Sequence, residues 1–171
     1  MIYTLYLATQ GGTQTPNTSN ITWRVNWDNM FSGLPEEYKT CRVRFNLSST
    51  TLEDTSTGIN YADRAGYIVA NLVGTKQKTS VSYTQFGGVV LGQLIPEPIV
   101  QYNTTGTTKQ SWIRYNSGTM LQKGVEVLRP VGTSELNIQI YAYPNSGTNP
   151  PALSAYDGDY TLIMEFDFDE E

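Results

Sequence analysis

The chain has 171 residues, 39% hydrophobic and 16% charged, with a formal net charge of −5 and no histidine. That length fits one domain, 1–171, and the thin scatter of 11 Lys and Arg on an acidic chain argues against a nucleic-acid face. Without histidine and with a single cysteine, Cys41, the chain lacks Ser-His-Asp and Cys-His catalysis, thiolate clusters and imidazole-based metal centres.

Period-two alternation between Gly, Pro, Asn and Ser clusters runs through the whole sequence, the mark of strands with one buried face. The opening MIYTLYLATQGG has no positive n-region, and Thr4 interrupts its apolar run, so a strand over 2–7 is expected rather than a signal peptide. No stretch approaches about 18 consecutive apolar residues, so no membrane insertion is expected. A linker rich in turn formers, ATQGGTQTPNTSN, completes an N-terminal arm over 1–20. Sequons at Asn17, Asn20, Asn46 and Asn103 are what a Thr- and Asn-rich chain produces by chance, and the lone cysteine fits a reducing compartment.

Over 21–27, ITWRVNW puts Ile21, Trp23, Val25 and Trp27 on one face and Thr22, Arg24 and Asn26 on the other. Asp28 is then placed to cap a short helical turn through Asn29, Met30 and Phe31, which Gly33 and Pro35 stop. Alternation resumes over 40–49, with Cys41, Val43, Phe45 and Leu47 inward and Arg42, Arg44 and Asn46 outward. Two such strands line the facing walls of a sandwich. Further strands are expected over 66–73, 80–86, 89–95, 99–102, 110–115, 124–128, 135–143 and 159–168, with Pro96 and Pro98 bracketing a turn. TTLEDTSTGINYADRA and PNSGTNPPALSAYDGD read as long loops. Some eight to ten strands with long connections predict an all-β fold, a single jelly-roll sandwich of two antiparallel sheets. A carbohydrate-binding module or a trimeric ligand-type sandwich is the architectural alternative.

Carboxylates are the remaining chemistry, and Glu36, Glu37, Glu53, Asp54, Asp63, Asp157 and Asp159 are the candidates for glycosidase-type acids. Asp157 and Asp159 around Gly158 have a spacing seen in calcium loops, but the following ligands of such a loop are missing, and a turn into a strand explains them. No enzymatic activity, cofactor or metal is expected. The ending DYTLIMEFDFDEE sets Tyr160, Leu162, Met164, Phe166 and Phe168 on one face and Glu165, Asp167 and Asp169 on the other. A row of like charges is either solvated or meets a basic partner.

NITWRVNWDNMF, YKTCRVRFNLSS and the acidic last strand YTLIMEFDF resemble the single jelly-roll capsid proteins of large icosahedral double-stranded DNA viruses and virophages, in particular those of the pentameric vertex capsomer. The resemblance implies a viral structural protein of the virion, most simply a penton protein forming a homopentamer, with a minor cement or decoration protein as the other role, assembled in the host cytoplasm beside major and minor capsid proteins. It also implies strands lettered B to I in sheets BIDG and CHEF, with 21–27 as B, 40–49 as C, 66–73 as D and 159–168 as I. Strands C and I then fall in opposite sheets. Arg42, Arg44, Glu165, Asp167 and Asp169 become the expected subunit contacts, joining neighbours head to tail. The alternative function is a glycan-binding or host-attachment module, stacking sugars on Tyr61, Tyr67, Tyr83, Tyr102, Tyr115 and Tyr156.

Overall fold

The structure, a computed structural model, describes residues 1–14, 20–54, 66–75, 88–103, 108–117, 124–142 and 160–168; at 14, 48–54, 66–67, 93–103, 108–117, 141–142 and 160 it describes the backbone alone. Among these residues the chain forms β1 (Ile2–Ala8), β2 (Thr13–Gln14), β3 (Ile21–Asn26), α1 (Trp27–Met30), β4 (Thr40–Asp54) and β5 (Gly66–Ala70). It continues with β6 (Val89–Asn103), β7 (Thr108–Ser117), β8 (Val125–Leu128), β9 (Thr133–Ala142) and β10 (Tyr160–Asp167).

Every strand pairing is antiparallel, and the pairings define a jelly roll. One four-stranded sheet runs β1-β10-β4-β8 and the other β3-β9-β5-β6. Lettered in chain order as B (β1), C (β3), D (β4), E (β5), F (β6), G (β8), H (β9) and I (β10), these are the orders B-I-D-G and C-H-E-F. Two further strands are additions to this plan. β2 lies along β3, and β7 lies between the second halves of β4 and β6, linking the two sheets into one hydrogen-bonded path.

This lettering corrects the expected one. The expected B, C and D strands are C, D and E, because Ile2–Ala8 is not an arm outside the roll but its first strand. The physical reason is the length of the register between β1 and β10, seven consecutive Cα pairs from Ile2↔Asp167 to Ala8↔Thr161. That pairing joins residues 167 positions apart at Met1 and Phe168, a separation on which local pattern is silent. As a consequence, the strand carrying Arg42 and Arg44 and the strand carrying Glu165 and Asp167 are not in opposite sheets. They are neighbours.

Two local expectations also change. The prolines do not bracket a turn: 89–103 is one strand whose register against β7 runs through Pro96 and Pro98 and shifts between Pro98 and Val100. Among the described residues its other partner, β5, ends opposite Leu94. Two prolines two residues apart share one phase, so both missing donors fall on the same side of the strand and the other phase keeps its hydrogen bonds. In α1 the cap is Asn26, whose Oδ1 accepts from the Asn29 N–H at 3.0 Å. Asp28 Oδ1 instead accepts from the Gly132 N–H at 2.8 Å, tying the helix to the turn before β9. Trp27 opens the helix rather than closing the strand. The expected strand 80–86 lies outside the described residues, as do both expected loops apart from the first five residues of the earlier one, through which β4 continues.

The core forms because each strand turns its apolar phase inward. Ile21, Trp23 and Val25 from β3 face Val43, Phe45 and Leu47 from β4 and Leu162, Met164 and Phe166 from β10; Cys41 and Trp27 are buried with them. Residues from both sheets make one cluster, which the alternation of two half-buried sheets requires. At one end the cluster is aromatic. The Trp27 and Phe31 rings stack at 5.9 Å, Phe166 meets both edge-on, and Phe168 meets Phe31 at 5.1 Å. Tryptophan polar atoms inside this core are satisfied: Nε1 of Trp27 donates to Ser134 Oγ at 2.8 Å and Nε1 of Trp23 to the Ala8 carbonyl at 3.0 Å.

Candidate functional site

The polar chemistry that the described residues concentrate lies on the outer face of the β1-β10-β4-β8 sheet. Because side chains alternate, the phase opposite to the core places Glu165 and Asp167 of β10 beside Arg44 and Arg42 of β4, with Glu126 of β8 across from Arg42. Acids and bases therefore alternate from strand to strand. The repulsion expected of a lone acidic row does not arise, since each acid on β10 has an arginine opposite.

The strongest of these contacts is Arg44 Nη2 to Asp167 Oδ2 at 2.7 Å. Asp167 was expected to face a neighbouring subunit. It is instead only 6% exposed, covered from within its own chain, whereas the Arg44 side chain keeps contact with water. Arg44 Nε and Asp167 Oδ1 are both buried without a hydrogen-bond partner, so the pair uses one of the two bonds that a guanidinium and a carboxylate can share. Gly124 makes room for this arrangement: it has φ +75°, and a Cβ there would press on the Val43 carbonyl and the Arg44 stem. Of the other expected contact residues, Arg42 is exposed, Glu165 is half-buried, and Asp169 lies outside the described residues.

The far edge of this sheet is sealed. The Leu128 N–H donates to the Val73 carbonyl at 2.8 Å, Gly74 bridges Val127, and Thr75 Oγ1 donates to Glu126 Oε1 at 2.5 Å. Beside it the Arg129 N–H donates to the Lys39 carbonyl, and Arg129 Nη1 to the Pro35 carbonyl, pinning the turn before β4 to the end of β8. Composition alone gave no signal for Arg129. Its role comes from a pairing between residues 94 positions apart.

Cys41 sits under this face, pointing inward beside Val43. Burial pushes its thiol up to about 12, with Arg129 pulling the other way and Asp167 adding to the rise. A thiol held so firmly protonated is packing material rather than a nucleophile. On the outer face of the other sheet, the Asn137 side-chain amide donates to Thr22 Oγ1 and Asn20 Oδ1, and the Asn71 side chain bonds both the Asn137 N–H and the Glu135 carbonyl. These bonds brace β3 and β9 against the segment after β5.

Among the described residues no three His, Cys, Asp or Glu side chains gather as a metal site would require. Glu36 and Glu37 are exposed on the turn before β4; Glu53 and Asp54 are described in backbone only, and Asp63, Asp157 and Asp159 lie outside the described residues. The same holds for the side chains of the six tyrosines named for glycan stacking. No protein-family model matches the sequence, and no curated protein matches it as a relative.

Proposed function

We propose that the protein is a structural unit of an icosahedral viral shell, a penton protein that assembles as a homopentamer of single jelly rolls at the vertices of a double-stranded DNA virus. The observation that carries this reading is the strand order B-I-D-G and C-H-E-F on one short domain. A fold does not name a function by itself. The reading is supported by its chemistry: on the outer face Arg44 and Asp167 brace β4 against β10, and the cysteine is held protonated in the core. The sequence resemblance to vertex capsid proteins supplies the rest. Under this reading the protein is not an enzyme, it needs no cofactor, its partners are further copies and neighbouring capsid proteins, and it acts in the virion after assembly in the host cytoplasm.

Native mass tests it. Light scattering behind gel filtration, with negative-stain imaging of the peak, is expected to show rings of five. A chain that stays monomeric at every concentration and salt, or one that binds a glycan array through a single copy, overturns the reading and favours the attachment-module alternative.

A further inference from the structure

We draw no further inference here: the strongest candidate, the face of β7 and the second halves of β4 and β6 on the phase opposite to Leu47, where the register sets Trp112 level with Thr50 and Val100 and Gln110 level with Leu52 and Tyr102, rests on side chains that lie outside the described residues, and nothing in the structure shows what covers that face.

Discussion

Cys41 and Trp23 show how individual side chains carry the sequence pattern into energy. In the unfolded chain the Cys41 thiol ionises near pH 9, and in the fold only near 12. Below about pH 9 both states hold the proton, and stability is unaffected. Between about 9 and about 12 only the unfolded state releases it, so stability falls as pH rises, by about 1.4 kcal/mol per pH unit. Urea unfolding at stepped alkaline pH is expected to show this slope in the parent and to lose it in Cys41→Ala; equal slopes would place the thiol in water. Labelling of the native thiol is expected to be slow and to accelerate in denaturant. Trp23 fills the space between β3 and the linker and donates to the Ala8 carbonyl. Trp23→Ala is expected to cost on the order of 3–5 kcal/mol, and Trp23→Phe less, since most of the ring remains while the Ala8 carbonyl loses its donor. A loss under about 1 kcal/mol for the alanine variant would contradict the burial.

At the level of elements, alternation was enough to locate most strands, and it placed Trp23, Val25, Cys41, Val43, Phe45, Leu47, Leu162, Met164 and Phe166 on the inward phase where they are buried. Period two tells which phase a residue occupies; it does not tell what lies over the opposite phase. Asp167 marks the difference. Its outward phase was legible, but its burial depends on Arg44 arriving from the neighbouring strand, a fact of pairing. The pair yields a double-mutant cycle. Arg44→Ala strands a carboxylate that is nearly out of water and is expected to cost about 1–3 kcal/mol, less than for a fully buried pair because Arg44 itself is partly solvated. Asp167→Asn is expected to cost less, and the double variant Arg44→Met with Asp167→Leu to recover most of the loss. Additive effects in thermal melts would mean the two groups do not interact. The second half of β4 was equally hidden. TTLED has the polarity of a loop, yet it forms strand because β7 arrives alongside it.

Across the whole molecule, what the sequence leaves open is which strands meet, and the one-letter shift shows why. Local pattern reports a strand's own faces, whereas the place of β1 is decided by β10, at the far end of the register. Once β1 counts as a strand of the roll, the rest of the order follows and β4 and β10 become neighbours in one sheet, with Arg44 paired to Asp167 within the chain. The position of β10 also has a consequence for biosynthesis. It lies between β1 and β4 in space but is translated after every other described strand. During translation β1 therefore waits without β10, its partner among the described strands, and β4 waits without the partner of residues 42–49. Unpaired strands are open to wrong pairings until β10 slots between them. Pulsed hydrogen exchange during refolding is expected to show β1 and β10 amides gaining protection together and late, in a single phase. Early protection of β1 alone would mean that it has found some other strand first.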